Sequence, residues 1–435
     1  MAIFPMKLTK SIYILTAVLT AAVFLQSCNN AATKIEDKPT ASVAETTVAP
    51  SPEPPPDPLA SFDMQRAAKL TATARLLAGM SVATSDMPKN TAPPEKVAAV
   101  EKTAGWKEQN SFFDNSWKQL EAEQITPVRK WSETELQTIN ASNPQVFYPF
   151  SGPDFLYVYS LFPDAKEYVM VGLEPVGTLP DFEQLNSAQI NQQLANAKDS
   201  LDAILKFSFF RTKDMAVDLS KQGVLPVLLL FAARTNNQIL DVQYVGIDKQ
   251  GDIQMRDPSK EADKSLIPGV KISFVPQGKS NPRTAYYFST DLSDSGLEKT
   301  PEFLAFVKKM DKPVTYLKAA SYLMHYSYFG KIRDGILAQS SHLLQDDSGI
   351  PYRNFDKSKW EMNFYGNYIG TIPLFADFYQ ADLREVYKSG TNVKKIDFGI
   401  GYKYYEGSHL MLMNAKAPGE TPQPEATTTP APATP

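Results

Sequence analysis

The segment Gln345-Asp346-Asp347-Ser348-Gly349-Ile350-Pro351-Tyr352-Arg353 is the most site-like stretch of the chain. The adjacent carboxylates of Asp346 and Asp347 could orient a sugar, a water or a cation. Buried side by side, their pKa values would separate, because neighbouring carboxylates resist joint ionisation. Gln345, Ser348 and Tyr352 add hydrogen-bonding groups, and Arg353 suits a carboxylate or phosphate. The hydroxyl of Ser348 has no base partner readable from the sequence. The plainer reading of the segment is a solvent-exposed turn that ends a helix. His325, set among Tyr322, Met324, Tyr326 and Tyr328, is the candidate general base, provided Asp346 or Asp347 orients its ring. A packed helix histidine explains it equally simply. Asp154, after Gly152-Pro153, is the last candidate for such a cleft, with a turn as its ordinary role.

Other chemistries have no signature. The only histidines are His325, His342 and His409, and they form no His-Glu-x-x-His pattern. There is no nucleophile elbow, phosphate-binding glycine loop or dinucleotide fingerprint, so neither metal nor cofactor is expected. Aromatic residues recur in groups: Tyr286-Tyr287-Phe288, Tyr322 to Phe329, Phe364-Tyr365-Tyr368 and Tyr404-Tyr405. They suit a groove for glycan or peptide, or a packed core. Sparse reactive residues favour noncatalytic binding over an enzyme.

These residues need elements to hold them. Apolar spacing predicts helices over 61–80, from Trp106 to Leu120, and over 182–209. Ser132, three residues before Glu135, reads as a helix cap. Phe155–Tyr159 and Tyr168–Leu173 read as a hairpin, and Leu225–Ala233 as a buried strand. Ile239–Ile247, Val270–Val275 and Thr284–Ser289 continue as strands with short polar links, which suggests antiparallel pairing. Helices are expected at Pro301–Met310, over 314–341 and from Ile372 to Val386, with a closing strand at Lys394–Tyr405. The fold class is α+β, a mixed or mainly antiparallel sheet with helices packed beside it.

Composition places the chain. Its formal net charge is −4 and its basic residues are scattered, which argues against nucleic acid as a partner. The amino terminus carries Lys7 and Lys10, an apolar run from Ile12, and Leu25-Gln26-Ser27-Cys28. This resembles a bacterial lipoprotein signal peptide, too short for a comfortable membrane span. The resemblance implies cleavage after residue 27 and acylation of Cys28, which anchors the chain in the membrane and leaves no thiol in the folded part. Asn29 is not the aspartate that resembles an inner-membrane retention signal. The expected location is therefore the cell envelope: the outer membrane where one exists, otherwise the outer face of the plasma membrane.

Residues 28–60 are rich in Pro, Thr, Ala, Ser and Glu and read as a disordered tether. Residues 61–415 read as the folded domain and 416–435 as a Thr/Pro/Ala tail. The expected role is ligand binding or envelope organisation, with glycan, peptidoglycan or an envelope protein as partner. A carbohydrate- or peptidoglycan-active hydrolase and a transport-associated binding component are the alternatives.

Overall fold

The computed structural model describes residues 57–82, 91–207, 223–403 and 408–417. Cys28, the signal segment 1–27, the tether up to residue 56 and the tail beyond 417 lie outside the described residues. No helix among the described residues is long and apolar enough to cross a membrane.

The strands are β1 (Gln145–Tyr148), β2 (Glu167–Gly172), β3 (Asn237–Ile247), β4 (Ile253–Met255), β5 (Ile267–Pro276) and β6 (Arg283–Ser289). They continue with β7 (Val314–Leu317), β8 (His342–Gln345), β9 (Trp360–Gly366), β10 (Val393–Lys394) and β11 (His409–Ala415). All join one sheet in the order β10-β9-β11-β8-β7-β1-β2-β6-β5-β3-β4. The central run β8-β7-β1-β2-β6 is parallel. Its flanks, β6-β5-β3-β4 and β8-β11-β9, are antiparallel. The fold is α+β with a mixed sheet.

Successive side chains of a strand face opposite sides of the sheet, and the core divides accordingly. Val146, Tyr148, Tyr168, Met170, Tyr316, Leu344 and Leu412 join one apolar cluster. Their immediate neighbours Phe147, Val169, Val171, Leu317, Leu343 and Met411 join another. Helices Met64–Leu77, Ala104–Leu120 and Leu225–Arg234 cover the first face. Helices Pro301–Lys309, Gly330–Gln339 and Ala381–Ser389 cover the second. Cover on both faces explains why the central strands are nearly continuous apolar runs. Each fully buried aliphatic or aromatic side chain adds about 1.5–3 kcal/mol of transfer free energy.

Several expectations are corrected. Leu225–Ala233 is helical, within Leu225–Arg234, with Pro226 in the first turn and every residue buried. A fully covered helix and a two-faced strand share the same apolar pattern. Phe155–Tyr159 lies in the buried helix Phe155–Leu161, so the expected hairpin is instead a parallel crossover from β1 to β2. Ser132 does not cap a helix; it lies inside Thr126–Glu135, with its hydroxyl on the Leu161 carbonyl and the Asn140 amide.

The helix expected over 314–341 divides into β7, a 3-10 turn from Ala319 to His325 and helix Gly330–Gln339, with β8 following at His342. Val314 and Thr315, β-branched and buried, favour the strand. In place of one helix at Ile372–Val386, a 3-10 segment Pro373–Phe378 precedes helix Ala381–Ser389. Of the strand expected at Lys394–Tyr405, only Lys394 is in a strand, β10 (Val393–Lys394); Tyr404-Tyr405 lie outside the described residues, and β11 closes the sheet.

Strand order positions the site. From β1 the chain moves to β2 on one side; from β7 it moves to β8 on the other. The linking helices, Phe155–Leu161 and Gly330–Gln339, pack on opposite faces. The connections therefore part between β1 and β7, which leaves a crevice beyond the carboxyl ends of these strands.

Candidate functional site

A cavity of about 260 Å³ occupies this crevice. Its wall is built by the segments that leave four parallel strands: 148–154 after β1, 172–174 after β2, 290–292 after β6 and 318–320 after β7. Leu323, Phe329 and Tyr402 complete it. Two of these turns hold non-glycine residues with left-handed backbone, Phe150 at φ 61° and Ala319 at φ 58°. Such conformations cost on the order of 1–3 kcal/mol and collect where a fold needs an abrupt change of direction at a site.

Asp154 and Lys318 join the turns across the switch point. The Lys318 ammonium lies 2.5 Å from Asp154 Oδ2, and both side chains are only 3% exposed. Tyr148 donates its hydroxyl to Asp154 Oδ2 at 3.0 Å, and the Tyr157 amide donates to Oδ1 at 3.2 Å. The ammonium also sits 3.8 Å above the Tyr157 ring. Asp154 thus caps its helix and neutralises the lysine in one arrangement.

Asp346 and Asp347 follow β8 but do not line the cavity. The expected solvent-exposed turn is sealed: the two residues are 5% and 4% exposed. It also follows a strand rather than a helix. Ser348 donates both its amide and its hydroxyl to Asp346 Oδ1. Burial, then the adjacent Asp347 charge, pushes the Asp346 carboxyl up to about 6. Burial also opposes ionisation of Asp347, but His409, Lys403 and the Tyr322 hydroxyl outweigh it and hold that carboxyl below its usual range.

His409 Nε2 lies 2.9 Å from the Asp347 amide nitrogen and 3.2 Å from Asp347 Oδ1. One nitrogen cannot accept from the amide and donate to the carboxylate at once. The ring makes the first contact when Nε2 carries no proton and the second when it carries one. Gly401, at φ 58°, makes room for this network, because a Cβ there would stand 2.6 Å from Asp346 Oδ2 and 3.2 Å from Lys318 Cγ.

The remaining nominated residues divide similarly. Gln345 locks its own turn, donating to the Ile350 carbonyl at 2.8 Å and accepting the Ile350 amide at 2.9 Å. Tyr352 is buried, and its amide donates to Gln380 Oε1. Arg353 is exposed. His325 packs 5.0 Å from the Phe378 ring and 5.4 Å from Tyr322. Its Nε2 is buried without a hydrogen-bond partner. Burial pushes its pKa down to about 4, so the ring is neutral at pH 7 although Asp347 favours its charge. Of the sequence-nominated residues, Asp154 alone lines the cavity. Among the described residues, no group of three His, Cys, Asp or Glu is placed to hold a metal ion.

Sequence reasoning missed Lys318, the one charge next to the apolar strand Val314–Leu317. It also left the aromatic residues unassigned between groove and core. A run of ring contacts connects Phe150 to Phe329, Tyr328, Tyr326, Phe378, Phe375 and Tyr402, with centroids 4.9–6.1 Å apart along the chain. Its two ends, Phe150 and Tyr402, both line the cavity. Tyr326 and Tyr328 are exposed. By contrast, Tyr287, Tyr365 and Tyr368 are buried in the core.

No family model matches the chain, and no curated protein matches its sequence.

Proposed function

We propose that the protein is a noncatalytic binding protein that takes a small ligand with a ring-shaped or apolar body into the crevice between β1 and β7. The observation that carries this reading is the coincidence of the cavity with the strand-order reversal, bounded by the segments that follow four parallel strands. Open sheets with helices on both faces bind ligands at this place because parting connections leave a cleft there. Aromatic walls supply apolar contact, and the few polar groups supply orientation. Hydrolysis has less support: Asp346 and Asp347 are sealed beneath the surface, and His325 does not line the cavity. Acylation at Cys28 would display this domain on the cell envelope through residues 29–60.

Titration of the full chain with the neutral reporter N-phenyl-1-naphthylamine tests the binding reading. The expected result is saturable fluorescence enhancement at one site per chain, abolished by Leu323→Trp at unchanged melting temperature. Absence of saturable binding, or binding indifferent to Leu323→Trp, would overturn it. Mass measurement of the purified amino terminus tests the anchor: an unmodified Met1 terminus would refute acylation at Cys28.

A further inference from the structure

We propose that the ligand of this cleft carries an organic ammonium group, an inference that rests on the binding reading above. The cavity wall contains three carboxylates, Asp154, Glu174 and Asp291, against a single cation, Lys318. Lys318 is neutralised by Asp154 at 2.5 Å. Glu174 and Asp291 have no cationic partner among the described residues. The contacts they do make are weak or local: the Tyr287 hydroxyl approaches Glu174 Oε2 at 3.4 Å, and the Ser293 amide donates to Asp291 Oδ1 at 2.9 Å. The wall therefore holds two carboxylates beyond the ion pair, Glu174 half-buried and Asp291 exposed at the rim.

The placement of Glu174 depends on glycine. A Cβ on Gly172 would stand 2.5 Å from Glu174 Oε2 and 2.8 Å from the Tyr287 hydroxyl. A side chain at 172 would displace this carboxylate from the β1 turn, where both its oxygens lie 3.7 Å from a Cβ built on Gly152. The same wall presents the rings of Phe150 and Phe329, packed edge to face at 5.8 Å. A ring face attracts a cation through its quadrupole, and the attraction strengthens where water is displaced. An anion entering this wall would meet uncompensated carboxylates. A neutral ligand would gain from them only the hydrogen bonds its own donors can make, without the attraction between opposite charges. A cation borne on an apolar body satisfies both the charge and the rings.

Three soluble probes with a common benzyl ring separate these cases: benzyltrimethylammonium, benzyl alcohol and phenylacetate, titrated calorimetrically into the full chain. The cation is expected to bind about tenfold more tightly than benzyl alcohol, with phenylacetate weakest. Glu174→Gln and Asp291→Asn are each expected to reduce that preference about threefold or more, with affinity for the cation falling more than affinity for benzyl alcohol. Equal affinity for the cation and the alcohol, or a preference untouched by both substitutions, would overturn the ammonium proposal. The binding reading would survive that result if benzyl alcohol still bound and Leu323→Trp abolished it. Failure of all three probes to bind would overturn both.

Discussion

Asp154 with Lys318 and Asp347 with His409 are both acid–base pairs that begin where a parallel strand ends. The first spans two loops and forms part of a cavity wall. The second is closed over by Tyr322, Tyr368 and Gln380, and its histidine is 1% exposed. Both pairs are almost fully buried, so they differ not in exposure but in that only the first borders a cavity. The difference arises from strand order: β1 and β7 flank the reversal and their connections part, whereas β8 is covered on its far side by β11. An acidic pair draws attention in a sequence, but the topology decides which acid can meet a ligand.

The largest expected effect comes from Lys318→Met. It leaves Asp154 charged and buried without its counter-ion, which should cost about 3–5 kcal/mol in urea unfolding. The double substitution Asp154→Asn with Lys318→Met should recover much of that loss. If the single substitution costs under about 1 kcal/mol, the pair does not hold the two loops together.

The sealed pair should matter less to stability and not at all to binding. His409→Phe removes the acceptor of the Asp347 amide and should cost about 1–3 kcal/mol, while reporter affinity in the cleft stays constant. A loss of affinity at unchanged stability would erase the distinction between the two pairs.

The pH dependence sharpens the comparison further, because two groups of the buried region pull in opposite directions. His325 is depressed from 6.5 to about 4, so its contribution is complete above pH 6.5 and is lost as pH falls through 4. Asp346 is raised from 3.8 to about 6, so its contribution is complete below pH 3.8 and is lost as pH rises through 6. Relative to the unmodified chain, His325→Phe should make stability fall as pH rises from 4 to 6, by on the order of 1–2 kcal/mol. Asp346→Asn should do the reverse. Melting temperatures of the three proteins across this range decide it. Parallel profiles for all three would show that neither group is buried as described. The smallest effect is expected at exposed Arg353: its replacement by Ala should change stability by less than about 0.5 kcal/mol and leave binding unaltered.

The legible parts of the fold were those set by local pattern. β3, β5 and β6 are apolar runs rich in β-branched and aromatic residues, and the short link between β5 and β6 makes that antiparallel pair legible; β3 pairs with β5 across an excursion through β4 that the local pattern does not show. The helix Ala104–Leu120 shows its buried stripe directly, at Trp106, Gln109, Phe113 and Leu120, whereas Met64–Leu77 is buried nearly all round. The parallel centre was harder to read. Its strands are only four to six residues long at β1, β2, β7 and β8, and their partners are distant in sequence. Covered on both faces, they lose the alternation that marks a strand, while the equally apolar Leu225–Arg234 is a helix. The site lies at this centre. Asp154 could be nominated from its Gly-Pro turn, but its partner Lys318 is 164 positions away, and only strand order brings them together. Asp346 and Asp347 were conspicuous by type, yet their seal comes from Gln380 and β11, which the pattern around them does not announce.

The central claim is that ligand enters the crevice between β1 and β7. Hydrogen–deuterium exchange of the full chain, with and without saturating N-phenyl-1-naphthylamine, tests it most directly. Ligand should slow exchange in the segments 150–154, 172–174 and 318–323 and leave 346–353 unchanged. Protection confined to 346–353, or spread over surfaces away from the four strand ends, would contradict it.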